Sequence, residues 1–271
     1  MNFYNELEVI LEIKTPTEKL EKFREFYKEF VQQEIDFSSE ENPKIFTQPA
    51  YEGFCKVVPP QKVPKRSNLT TKEGQINLLH AVAHIEYSAI DLALDAAYRF
   101  RGLPRKYYED WLEVANDEVR HFEMLETLLD ELGSSYGEIE VHNSLFEASF
   151  KTQTLLERMA VVPRYLEANG LDATPMILEK LKNYPKNEIL EKIKSALTII
   201  LQEEIDHVKK GDVWFSYACE LENEDPSVFF DIIKKYYPRS FLRPDDLNIE
   251  ARKEAGFSCS ELKIMANKEV C

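Results

Sequence analysis

Two four-residue stretches carry residue types from which a metal centre could be built: Glu118-Val119-Arg120-His121 and Glu204-Ile205-Asp206-His207. Each reads Glu-x-x-His and lies inside a long run of helical hydrophobic periodicity. Residues three apart share nearly one face of a helix, so each stretch presents a carboxylate beside an imidazole. Two such pairs, with one Glu from each of two further helices, make the six-ligand set of a di-iron or di-manganese carboxylate centre in a four-helix bundle. Glu86 and Glu167 are the candidates for the lone carboxylates.

Phase tests this. Around Glu86, the positions three, four and seven away are Leu79, Val82, Ala83, Ala89, Ile90 and Ala93, all apolar. Glu118 has Trp111, Val114, Ala115, Phe122 and Leu125 at those offsets, and Glu204 has Leu197, Ile200, Leu201 and Val208. A carboxylate centred on an apolar stripe is costly unless paired or metal-bound. The third helix is less clean, because Glu157 competes with Glu167. Glu86 precedes Glu118 by 32 positions and Glu167 precedes Glu204 by 37, whereas Glu157 would need 47. Antiparallel helices meeting at mid-height favour the similar separations, hence Glu167. One Glu-x-x-His alone would be weak, since a surface Glu beside a core His is the simpler reading; two in matched settings are specific.

Four long helices must position these groups. Thr70 with Glu73 fits a capping box for a helix running to Arg101, where Gly102 and Pro104 end it. The next runs to Leu132 and stops at Gly133; each spans roughly 45 Å, and the short turn between them implies antiparallel packing. A third helix is expected from Leu145 to Glu167, interrupted near Pro163, with Asn169-Gly170 as a break and Thr174-Pro175 starting a short helix. The fourth runs from Glu188 to Leu221, with Gly211 its one weak point. Before them, residues 3–13 read as a short helix or strand, and Pro16 opens a charged helix with an apolar stripe at Leu20, Phe23, Phe26, Tyr27 and Phe30. Prolines 43, 49, 59, 60 and 64 forbid a long helix between Ile35 and Leu69, which reads as an extended strap. After residue 222 a Phe- and Leu-rich tail, including Phe241, Leu242, Leu247 and Phe257, is expected to dock on the bundle. The expected organisation is residues 1–69 as N-terminal helices and strap, 70–222 as the bundle, and 223–271 as the tail.

The whole chain sets further limits. Hydrophobic residues at 44% and charged residues at 31% describe a globular chain, and Leu, Glu, Lys and Ala favour helix. A net charge of −15 gives no long-range attraction to nucleic acid or anionic membrane. Lys62, Lys65 and Arg66 form the one tight basic cluster before the core, too small by itself to argue for a phosphate site. Four scattered cysteines (Cys55, Cys219, Cys259, Cys271) suit a reducing cytosol better than a disulfide framework. The acidic start lacks the pattern of a signal peptide, and no segment reaches the roughly 18 apolar residues of a membrane span. A cytoplasmic location is expected.

Other residues get plain readings first. His80 and His84 form an i, i+4 pair off the Glu86 face and suit a structural role. Asp206 suits an exposed pair with Lys210, and Arg158 and Arg164 suit pairing with Glu157. Tyr87, Tyr98 and Tyr165 read as packing, and His142 has no argument for function.

The two Glu-x-x-His stretches with Glu86 and Glu167 resemble the ferritin-like superfamily. Within it, His84-Ile85-Glu86, Asp117 to Phe122, Glu203 to Val208 and above all the string Arg164 to Pro175 resemble the bacterial domain-of-unknown-function family 455 over residues 60 to 260. The resemblance implies an all-α, ferritin-like antiparallel four-helix bundle and supports Glu167 over Glu157. Its characterised relatives are di-iron hydroxylases acting on a modified tRNA base; the acidic charge argues against importing that substrate, though tRNA stays open.

The expected function is a dinuclear carboxylate protein holding two iron ions, with manganese as the alternative, and activating dioxygen or peroxide on a substrate the sequence does not name. The expected ligands are Glu86, Glu118, His121, Glu167, Glu204 and His207. An iron-handling ferroxidase and a non-enzymatic bundle with a vestigial site are the rival readings, and a homodimer is compatible with the chain.

Overall fold

The structure, a computed structural model, describes residues 1–39, 41–66, 68–184, 187–241 and 246–271. Among them the chain is all-α, with two isolated β-bridges and no strand. No described helix is long and apolar enough to cross a membrane. The chain divides into two compact units, Met1–Phe150 and Lys151–Cys271.

The first unit is built on a helical hairpin, α3 (Lys72–Arg99) and α4 (Arg105–Glu131). The cap of α3 lies one residue later than the capping box predicts: Thr71, not Thr70, accepts the Gly74 N–H at 3.1 Å. Thr70 instead donates its hydroxyl to Asn68 at 2.7 Å. Gly102 takes a φ of +73° in the turn, a conformation that favours glycine. Two shorter helices, α1 (Phe3–Glu12) and α2 (Pro16–Gln32), pack against the hairpin. The stripe of α2 contains a residue the hydrophobic reading skips. Lys19 is fully buried on it, beside Leu20 and Phe23, and pairs with Asp91 of α3. Burying two charges is tolerable only in such a pair; removing one partner typically costs about 3–5 kcal/mol.

The proline-rich strap is irregular apart from short 3₁₀ turns at Ala50–Gly53 and Pro60–Lys62. It is tied down through backbone. Val58 N–H donates to the Val141 carbonyl at 2.8 Å and Val141 N–H to Lys56 at 3.0 Å, while Lys44 N–H donates to the Tyr98 hydroxyl at 2.9 Å. Helix α5 (Ser144–Lys151) ends at the division between the units.

The second unit departs from the expected third helix. The interruption falls at 152–154, between α5 and α6 (Leu155–Val161), where Thr154 caps α6 by accepting the Glu157 N–H at 3.1 Å. The α-helix is interrupted a second time near Pro163, as expected, although the chain stays helical. It continues as a π-helical turn, Val162–Glu167, and passes directly into α7 (Ala168–Lys182). The wider turn absorbs the N–H that proline lacks. Asn169-Gly170 and Pro175 therefore lie inside a helix rather than at its ends. Helix α8 (Glu188–Glu222) closes on Asn223, in the left-handed conformation with a φ of +57°. The expected loop at Pro185-Lys186 lies outside the described residues.

The tail adds α9 (Val228–Tyr236), α10 (Ile249–Glu254) and an unanticipated α11 (Cys259–Ala266). It docks within this unit through Arg252, which donates to Asp172 of α7 at 2.6 Å, and through the Phe229 and Phe257 rings. Leu242 and Pro244 lie outside the described residues. Cys259 and Cys271 form a disulfide, contrary to the reading of four thiols, while Cys55 and Cys219 are buried thiols. The chain end returns to α11, a proximity that sequence spacing does not encode.

Gly211 is not a weak point of α8 but a contact. A Cβ there would lie 2.5 Å from Pro163 Cγ and closer still to Pro163 Cβ. The π-helical turn seats its proline against α8 where α8 has no side chain. Gly211→Ala is therefore expected to destabilise the protein by about 1–3 kcal/mol through overpacking, despite alanine's better helix propensity. Thermal unfolding checks this, and an unchanged or raised Tm would show that the turn has slack there.

Candidate metal centre

Glu86 lies 13 residues before the end of α3, and Glu118 lies 13 residues after the start of α4. In a hairpin with a short turn those positions face each other, and His121 stands one turn beyond Glu118. The outcome is a cluster in the first unit. His121 Nδ1 is 3.1 Å from Glu86 Oε2 and 3.5 Å from Glu118 Oε2, and one ligand atom from each residue lies within 4.8 Å of the others. All three are buried. Tyr87 and Phe122, the chain neighbours of Glu86 and His121, pack on each other with ring centroids 5.2 Å apart, and Phe122 also meets Tyr136.

Electrostatics follows from this crowding. Burial works against a charged imidazole, but the hydrogen bonds and charges of Glu118 and Glu86 outweigh it and push His121 well above its ordinary range. The cluster thus favours positive charge at its centre. Two carboxylates and an imidazole are hard and borderline donors suited to a divalent transition metal. This buried Glu–His cluster can hold a metal ion.

The second unit carries the other Glu-x-x-His. Glu204 and His207 both lie on α8, with His207 Nδ1 3.8 Å from Glu204 Oε1; His207 is buried and Glu204 half-buried. The same ring nitrogen, Nδ1, faces the carboxylate in both stretches. Glu167 is the last residue of the π-helical turn, which packs against α8, and is half-buried. Its rival Glu157 lies in the first turn of α6 and pairs with Lys235 of α9 at 2.6 Å.

The arginine beside this region behaves differently from expectation. Arg164 does not pair with Glu157. It is buried, 2.8 Å from both Asp212 and Glu261, and stacked within 4.6–4.8 Å of the Phe215, Phe229 and Phe257 ring centroids. Arg158 donates to Thr152 at 3.0 Å. Asp206 does pair with Lys210, at the surface. One interaction near the cluster was legible but missed. Lys19 falls in phase with the α2 stripe, the signal of a buried cation needing an acid, and its Nζ lies 5.6 Å from the centroid of Tyr87, next to Glu86.

His80 and His84 serve the connection after α4. His84 Nδ1 lies 2.8 Å from the Tyr136 hydroxyl and Nε2 lies 2.9 Å from the His142 carbonyl. A carbonyl only accepts, so Nε2 carries the proton and Nδ1 accepts from Tyr136. His80 Nε2 accepts the backbone N–H groups of Gly137 at 2.9 Å and Ile139 at 3.4 Å. Burial pushes both imidazoles down to about 4.

Comparison with known proteins extends the resemblance beyond residues 60–260 to nearly the whole chain. The family model described as "Protein of unknown function (DUF455)" matches residues 12–263. An uncharacterized protein of Haemophilus influenzae is 37% identical over 275 residues, covering 96% of this chain and 92% of its own. No solved structure matches.

Because His80 accepts hydrogen bonds only when neutral, acid should loosen the 136–142 connection. The unfolded chain binds the proton at its ordinary pKa of about 6.5, the folded one only near 4. The stabilisation is complete above about pH 6.5 and is lost as pH falls through 4, with an upper limit of about 3 kcal/mol. Urea midpoints at pH 7 and 4.5 should diverge more in the unaltered protein than in His80→Gln. Equal divergence would assign the acid lability elsewhere.

Proposed function

We propose that this chain, which belongs to the DUF455 family, holds a dinuclear metal centre and is an oxidoreductase. Its ligands are Glu86, Glu118 and His121 from the first unit, and Glu167, Glu204 and His207 from the second. The observation that carries the reading is the buried cluster in which one imidazole nitrogen faces two carboxylates. On this reading α3, α4, the α6–α7 run and α8 would be the four helices of a ferritin-like core.

Glu167 is supported by register within the second unit. Pro163 touches Gly211, and α7 and α8 are successive packed helices. In an antiparallel pair, four residues forward from Pro163 and four back from Gly211 bring Glu167 opposite His207. Glu157, already engaged by Lys235, lies on the other side of the contact.

Four carboxylates supply four negative charges, which offset two divalent ions; iron is our assignment, with manganese the alternative. When bound, such ions supply the redox chemistry for dioxygen or peroxide. The chain's residues do the rest. The Glu-x-x-His helices fix the ligands on rigid elements, and Glu86, Glu118 and His121 are themselves buried, away from bulk water. His121 must give up the proton that Glu86 and Glu118 favour before its Nδ1 can bind a metal.

Elemental analysis with an optical spectrum of the purified protein tests the proposal. Two iron or manganese ions per chain are expected, and both Glu118→Ala and Glu204→Ala should lose metal. Full retention in both variants would refute the ligand set. Metal uptake by metal-stripped protein should release protons and strengthen as pH rises, since proton and metal compete for His121. Loading should also raise Tm. Metal-free protein from iron-supplemented cells, with no change in Tm on adding iron, would favour a vestigial site. A large hollow oligomer would favour iron storage.

A further inference from the structure

A second site in the first unit lies outside the carboxylate cluster. A cavity of about 330 Å³, open on one side to solvent, is lined by the strap, one face of α3 and the 139–142 connection. We propose that it binds the phosphate group of a small phosphorylated molecule, and this does not depend on the metal reading.

The charge of the cavity runs against that of the chain. Lys65 and Arg66 both line it, in a protein of net charge −15, and neither makes an ion pair among the described residues. One acid on the wall, Glu140, is held by Lys56 at 3.0 Å, which keeps its carboxyl below the usual range. Glu138, near His80, accepts from the Ser134 hydroxyl at 2.8 Å and the Ser135 N–H at 3.2 Å. Two of the three residues of the basic cluster that looked too small in the sequence, Lys65 and Arg66, thus line one cavity.

The imidazoles decide which ligand charge fits. His80 Nε2 is occupied as an acceptor of two backbone N–H groups, so its proton resides on Nδ1. That N–H has no partner among the described residues, although His80 is only 1% exposed and lines the cavity. His142 Nδ1 accepts the Ser144 N–H at 3.4 Å, which leaves its Nε2–H as a donor. His84 is spent on Tyr136 and the His142 carbonyl. The ring lone pairs that could bind a metal are therefore engaged, and what is left over is N–H donors beside two cations. An acceptor-only dianion matches this set, and Arg pairs with phosphate oxygens through two parallel bonds. The volume exceeds a bare ion and falls in the range of small-molecule sites.

The experiment is calorimetric titration of the full-length protein with inorganic phosphate and, separately, with AMP. Saturable binding of either at millimolar ligand or below is expected, weakened about tenfold or more in Lys65→Ala/Arg66→Ala. Both side chains are exposed, so that variant should fold; unchanged Tm and metal content confirm it. Tighter binding of AMP than of phosphate would assign a phosphorylated organic ligand, and equal binding would assign the free ion. Absence of heat with both, or binding indifferent to the double variant, would overturn the proposal. So would a single-stranded RNA 20-mer that binds far more tightly than AMP and loses that affinity in the same variant, since the ligand would then be a nucleic acid.

Discussion

Carboxylates inside a helical core impose the constraint on which this architecture depends. Glu86 and Glu118 lie among residues such as Ile90, Leu125 and Phe122, where an isolated charge would be prohibitively costly. The hairpin solves this by bringing both to one imidazole, and that requirement fixes the register of α3 against α4. A slide of one residue would turn Glu86 away from His121. The tight turn at Gly102 and the equal distances of Glu86 and Glu118 from it are the backbone side of the same condition.

Around this hairpin the protein repeatedly uses buried charge with an assigned partner. Lys19 is accepted within the α2 stripe because Asp91 meets it, so the α2–α3 contact is specified by an ion pair as well as by hydrophobic burial. In the second unit Arg164 is held by two carboxylates and three aromatic faces, joining the π-helical turn to α8, α9 and α11. These pairs add specificity more than stability, since a mismatched packing would strand a charge without water.

Irregular backbone is concentrated where helices must approach or change course. The π-helical turn carries Pro163 through the helix and into contact with Gly211, so two residues usually read as helix breakers jointly make a close helix–helix contact. The strap and the 136–142 connection, both poor in regular structure, satisfy their backbone groups on each other and on His80 and His84. Burial keeps these imidazoles neutral, and because their ring lone pairs accept from Gly137, Ile139 and Tyr136, the cavity they border offers N–H groups rather than lone pairs.

The sequence by itself determined what is local and periodic. It specified the helical class, the near bounds of α3, α4 and α8, the extended strap, and the burial of Glu86, Glu118, His121 and His207, because three- and four-residue spacing maps onto helix faces. It could not place what depends on long-range approach. The partner of Arg164 proved to be Asp212 and Glu261, not a helical neighbour. Pro163, Asn169-Gly170 and Pro175 were absorbed into continuous helix because a π turn supplied room that propensities ignore. Cys259 met Cys271 through the return of the tail. The cations Lys65 and Arg66 acquired a cavity only when the strap folded against α3, since a sequence records charges but not the walls that enclose them.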